Sequence, residues 1–380
     1  MERKVEVVES IASIPAIAWD AITDGSPILR HAFLSAFEIS QAVGPGTGWQ
    51  TYAMVVKDHD ALVAAMPLYV KSHSYGEYVF DWAWAEAYQR SGESYYPKLL
   101  CAIPFTPITG ARLLVKPTEN STELSSLMLG ALVQTAKHHG LSSIHINFPD
   151  SVCENTLSQT DWLRRTGVQF RWVNQQYTNF DAFLATLSHD KRKKIKQERK
   201  KIVAANVTCK QIKGADITEA EWQFFYECYA NTYFEHRSTP YLPPAFFSLI
   251  SNTMPENILL ILAYQDNAPI AAALNIYDKN CLYGRYWGAM RYVPNLHFEL
   301  CYYQAQEFCI AENIAYFEGG AQGEHKLARG FSPRPTCSYH YICQPDFARA
   351  IADFVQKESQ GVAAYTTELE ERAPFKAEFK

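Results

Sequence analysis

The sequence predicts an α/β (α+β) chain built as two tandem copies of one unit, each a mixed, largely antiparallel sheet flanked by helices. Three observations carry this expectation. Residues 63–65 (VAA) leading to 74–78 (SYGEY) recur as 270–272 (IAA) leading to 282–286 (LYGRY). The same order of strands and helices follows both motifs. A chain of 380 residues with 48% hydrophobic composition has the length and the apolar content for two cores.

In the first copy, residues 51–56 and 61–70 are strand-like runs separated by the polar turn 57–60 (KDHD). A third strand is expected over 77–82, a short helix over 84–90, a Pro-rich segment over 97–107, a periodic helix over 121–139 and a closing strand over 144–148. The bridge is mostly helical. One long helix is expected over 179–204, then a strand over 207–212 and helices over 219–233 and 244–251. The second copy repeats the meander with strands over 258–264, 270–277 and 281–288. Apolar and aromatic residues at helical spacing predict a helix over 298–310, and 315–317 is a short strand. The expected division is residues 1–178, a connecting helix over 179–205, and residues 206–380.

Net charge of −5 argues against a coat of nucleic acid over the whole surface, so any polyanion site must be local. Nine scattered cysteines without a C-x-x-C pair fit reduced core residues rather than a zinc or redox site. His138 and His139 are adjacent and point to different helix faces, so no metal is expected there. No run of eighteen apolar residues occurs, and a cytoplasmic protein without a transmembrane segment is expected. Phosphate-loop, H-E-x-x-H and G-x-S-x-G motifs are absent.

The meander, helix, strand, helix order resembles the GNAT acyltransferase fold, and two such units in one chain resemble the Fem aminoacyl-tRNA-dependent peptidyltransferases. A sharper likeness is to bacterial FemAB-like proteins labelled peptidoglycan-related N-acyltransferases. It rests on residues 71–82 (KSHSYGEYVFDW), 95–100 (YYPKLL), 104–107 (PFTP) with Gly110, 191–195 (KRKKI), 282–288 (LYGRYWG), 297–304 (HFELCYYQ) and 318–331 (EGGAQGEHKLARGF). The resemblance implies two tandem GNAT-like domains and an N-acyltransferase that moves an acyl or aminoacyl group to a small-molecule or peptide amine. No tightly bound cofactor is implied. The donor would be an aminoacyl-tRNA or an acyl-CoA. The loop 290–297, where an acyl-CoA enzyme carries a glycine-rich pyrophosphate cradle, has Pro294 and no glycine, which weighs against acyl-CoA.

Within 318–331, four glycines sit among ionisable groups. Glu318 or His325 is the expected general base, backbone N–H groups would steady the oxyanion, and Lys326 and Arg329 would bind the donor's anionic part. The bland alternative is a tight turn with solvated charges. Tyr283, Arg285, Glu299, Tyr303 and Gln322 complete the expected substrate set. A charge in a strand interior needs a partner, so Arg285 would either pair with Glu299 or hold a substrate carboxylate or phosphate. In the first copy, His73, Glu77, Asp81, Trp82 and Lys98, with Tyr96, form an analogous set. Glu77 and Arg285 fall at nearly corresponding places, which implies different ligands for the two copies or a salt bridge between them.

Residues 191–201 (KRKKIKQERKK) hold eight Lys or Arg in eleven positions, with Ile195 and Ile202 as a thin apolar seam. Lys191, Arg192, Lys193, Lys194 and Lys196 are candidates for a polyanion contact with tRNA or an anionic membrane leaflet, against a solvated surface helix. The rival to catalysis is a binding protein that recognises RNA or a cell-wall precursor without turning it over.

Overall fold

The computed structural model describes residues 3–321 and 323–376, so Gln322 of the expected substrate set lies outside the described residues. The chain forms two compact units, Met1–Gly167 with Tyr241–Phe246 and Pro335–Ala363, and Val168–Pro240 with Phe247–Arg334 and Ala364–Lys380. The chain changes unit within two strands, Leu163–Val173 and Ser332–Ile342.

In the first unit, Arg3–Val8, Ala53–Asp58, Ala61–Met66 and Leu114–Val115 form a four-stranded antiparallel sheet. Trp49–Thr51, Leu68–Lys71, Lys98–Cys101, Ser143–Asn147 and the second half of Ser332–Ile342 pair in a second sheet. There Lys98–Cys101 and Ser143–Asn147 run parallel. The expected strand 61–70 is cut by Pro67, which cannot donate to a ladder, and its halves enter different sheets. Helix Ser121–His138 packs Leu124, Met128, Leu132 and Ala136 onto the core at helical spacing, and Asn120 caps it by accepting from the Glu123 N–H.

In the second unit, Val207–Lys213, Ile258–Gln265, Ala268–Tyr277 and Cys281–Ala289 form an antiparallel meander. Tyr316–Glu318 adds in parallel to Cys281–Ala289 and antiparallel to Arg171–Val173. Residues 258–263 are buried on both faces, which explains their unbroken apolar run. The second meander and the helix and short strand after it follow the expected order, and the architecture is the expected mixed α+β one.

Several elements differ from expectation. Residues 77–82 are no strand: Gly76 and Tyr78 have φ near +79° and +60°, and a Cβ at Gly76 would lie 2.5 Å from the Phe105 ring. The Tyr-Gly pair of the first motif therefore sits in a turn, whereas Tyr283-Gly284 lies inside Cys281–Ala289, so Glu77 and Arg285 are not structural counterparts. The expected helix 179–204 is two helices, Phe180–Thr186 and His189–Ala204. Leu187 and Ser188 between them are extended, and the Ser188 N–H bonds the Pro374 carbonyl at 2.9 Å. The Pro-rich segment holds the strand Lys98–Cys101. Helix Leu296–Phe298 continues through a π turn, Glu299–Gln304, into Ala305–Ala311. Among the described residues no helix is long and apolar enough to cross a membrane.

Candidate active site

Strands Cys281–Ala289 and Tyr316–Glu318 pair only from Cys281↔Tyr316 to Tyr283↔Glu318. Beyond that point they part, and the gap opens a pocket of about 440 Å³. Its walls include Arg285, Tyr286 and Trp287 from the strand, His297, Cys301 and Tyr302 from the π-containing helix, and His325 and Lys326 from the glycine-dense segment. Arg285 is the extra residue of a β-bulge, since Leu274 faces Tyr286 and Asn275 faces Gly284 across the ladder. The bulge turns a charge in a strand interior toward a cleft.

His325 Nε2 and the Tyr302 hydroxyl share a hydrogen bond of 2.9 Å. Burial, then the charges of Arg329 and Lys326, push the His325 pKa below its usual 6.5, so the ring is neutral at pH 7. Gly323 fits against this ring: its φ is +96°, and a Cβ there would lie 2.3 Å from His325 Cε1. His297, not foreseen from sequence, lines the same pocket, its pKa pushed down to about 4 by burial and the neighbouring His325. Lys326 is 5% exposed, and burial lowers its pKa to about 8.

Other expected site residues hold the fold around this pocket. Arg329 is 1% exposed and donates from Nη2 to both carboxylate oxygens of Glu198 at 2.8 Å, and from Nη1 to the His325 carbonyl at 2.7 Å. Its guanidinium lies 3.5 Å from the Phe298 ring centre. Tyr303 is fully buried and donates to the same carboxylate. Arg329 and Tyr303 are thus taken up by a carboxylate that the sequence hid inside a basic run. Glu299 pairs with Arg199 at 2.9 Å rather than with Arg285. Glu318 accepts from Arg171 and Arg334 and is not among the pocket-lining residues. Tyr283 is buried in the strand just before the opening.

On helix His189–Ala204, Ile195, Glu198 and Ile202 face inward, the narrow stripe the seam implied. Lys193, Lys194 and Lys196 are exposed, Lys191 and Arg192 half-buried, and Lys196 pairs with Asp181 at 3.3 Å. Shallow depressions of about 330 Å³ and 500 Å³ run along this basic face.

The first unit's set is closed. Lys98 is fully buried and donates to Glu77 at 2.9 Å, to Ser74 at 2.9 Å and to Asp81. Tyr95 donates to Asp81 at 2.6 Å and meets His145 Nε2 at 3.2 Å, and His145 Nδ1 lies 2.6 Å from His340 Nδ1. Burial works against the Lys98 charge, but Glu77 and Asp81 outweigh it and hold the ammonium protonated. Burial lowers Lys71 to about 7 and raises Glu77 to about 7, while Lys98 overcomes burial to hold Asp81 at about 2. His73 packs on Gly48 with Nε2 3.0 Å from the Thr47 carbonyl. Tyr96 bonds Ser74 at 2.8 Å, and only Trp82, 42% exposed and against Tyr75, faces out.

Residues 10–377 match the FemAB-like family, described as peptidoglycan biosynthesis/recognition. The chain belongs to that family. FemX shares its fold, with TM-score 0.55 at 12% identity over 93% of this FemAB-like chain and 100% of FemX. A conserved protein of unknown function from Bacteroides thetaiotaomicron VPI-5482 gives 0.52 at 11% identity, over 90% and 100% of the two chains. A tandem GNAT protein of the clavulanic acid pathway covers 90% of the chain and 99% of itself at 11% identity, with TM-score 0.48. No curated protein matches the sequence significantly. The FemAB-like chain therefore shares the FemX fold over nearly its whole length, in line with the Fem resemblance of its motifs.

Proposed function

We propose that this FemAB-like chain is an N-acyltransferase acting in peptidoglycan metabolism, with its chemistry in the pocket of the second unit. The observation that carries the reading is a neutral imidazole, His325, held by Tyr302 at the mouth of two diverging strands and flanked by buried cations. An acceptor amine attacks the donor's acyl carbon. Its proton passes to the imidazole, a C–N bond forms, and the C–O or C–S bond to the carrier breaks as the carrier leaves with a proton. Lys326 supplies positive charge for the tetrahedral oxyanion, and Arg285 holds an anionic group of a substrate.

Glu318 does not act as base in this scheme, because two arginines occupy its carboxylate. We assign the donor to a polyanionic carrier such as an aminoacyl-tRNA, which the exposed lysines 193, 194 and 196 would contact, ahead of acyl-CoA, for which the loop 290–297 lacks a cradle. The test is transfer measured by mass spectrometry with charged tRNA or acyl-CoA as donor and a cell-wall peptide precursor as acceptor. His325→Ala should abolish product while the melting curve is unchanged. Full activity in a folded His325→Ala protein removes His325 as the base. Stabilisation by uncharged tRNA with no product from any donor would favour the binding-protein alternative.

A further inference from the structure

Asn275 is 2% exposed, lines the pocket, and its side-chain Nδ2 has no hydrogen-bond partner among the described residues. Buried amides are almost always satisfied, so an unsatisfied one that lines a cavity calls for a group to complete it. The ladder explains why this amide meets the cavity. Its partner across the strands is Gly284, which has no side chain to cover it, and the next residue, Arg285, is the bulged one. The bulge therefore brings a guanidinium and an amide donor to one wall of the pocket.

The charge of the lining selects the ligand class. Among the described residues it holds the cations of Arg285 and Lys326 and no carboxylate, and the imidazoles of His297 and His325 add no charge near neutral pH. Tyr286, Trp287 and Phe317 supply apolar surface beside them. A cationic pocket of this volume, with a guanidinium and an unsatisfied amide donor on one wall, suits a small organic anion whose oxygens accept from planar donors.

We propose that Asn275 and Arg285 form a carboxylate-recognition pair, and that the pocket takes the carboxylate end of an amino-acid or short peptide ligand. This rests on the acyl-transfer reading only for which substrate the pocket serves. Carboxylate recognition itself is read by binding and needs no turnover.

The experiment uses the full chain and two probes that differ in one group, N-acetylglycine and N-acetylglycinamide, titrated by ligand-observed NMR. N-acetylglycine should bind about tenfold more tightly than the amide, the size of one charge-assisted hydrogen bond. Asn275→Leu, near in volume, should remove most of that preference and leave N-acetylglycinamide binding unchanged. Asn275→Asp, which puts a negative charge on the same wall, should abolish N-acetylglycine binding. Should the leucine variant fail to fold, Asn275→Ser gives the same readout. Equal affinity for the two probes, no binding of either, or an unaltered preference in a folded Asn275 variant overturns the proposal. Loss of transfer in His325→Ala with no carboxylate preference would sink this inference and leave the catalytic reading standing. The reverse pattern would do the opposite.

Discussion

The first unit's Lys98 cluster and the second unit's pocket both gather lysine, histidine and tyrosine residues near a turn, yet they differ in whether acids face the charges. In the first, Glu77 and Asp81 lie against Lys98, and all three are at most 4% exposed. In the second, the acids are elsewhere. Glu198 is turned to Arg329, Glu299 to Arg199 and Glu318 to Arg171, and the charged side chains in the described pocket lining are Arg285 and Lys326. Opposite charges meet in a buried knot in the first unit, whereas the second unit's pocket has cations and no carboxylate in its described lining.

The largest expected effect tests the knot. Lys98→Met leaves Asp81 buried without that cation and Glu77 with Lys71 at 3.8 Å, and should cost about 3–5 kcal/mol by denaturant unfolding. A loss under about 1 kcal/mol would mean that the cluster tolerates open charges, and the contrast would fail. Next, Glu198→Gln strips the charge from the carboxylate that holds Arg329, and through it the His325 carbonyl. We expect a loss of about 2–3 kcal/mol together with a fall in transfer, measured by melting and by product formation. Stability loss with full activity would separate Glu198 from the pocket.

The third prediction concerns pH. His145 and His297 are held at about 3 and about 4, below the usual 6.5, because burial disfavours the charged rings. The folded state then binds fewer protons than the unfolded chain between these values. Stability from both groups is full above pH 6.5 and is lost as pH falls toward 3. His145→Gln should flatten that acid slope, measured by melting temperature across the range. The smallest effect is expected from Glu318→Gln. Transfer should fall by less than about twofold while stability drops by about 1 kcal/mol, because the side chain serves two arginines rather than a substrate. An inactive Glu318→Gln protein would return Glu318 to the chemistry.

The hairpins were legible because alternation and turn residues act locally: residues 57–60 and 265–267 mark both turns, and the Ala-rich strands follow them. Strand Leu163–Val173 was missed because its arginines mask the pattern, and Ser332–Ile342 because Pro333 and Pro335 suggest loop. The extended Leu187 and Ser188 escaped notice since no proline or glycine marks the break. His325, Lys326 and Arg285 could be found from charge in unusual places. Asn275 and His297 could not, because a neutral polar residue within an apolar strand, or a histidine near a helix start, has no distinct signature until the bulge and the strand opening place it.

The chain's passage between units inside strands also sets a schedule for synthesis. His145 meets His340 from 195 residues away, and Ser143–Asn147 takes its antiparallel partner from Ser338–Ile342. At roughly 5–20 residues per second, a ribosome supplies that partner on the order of ten seconds or more after Ser143–Asn147 is made. For that interval the strand lacks this neighbour and exposes one edge to other nascent chains, a period in which a holding chaperone would shield it.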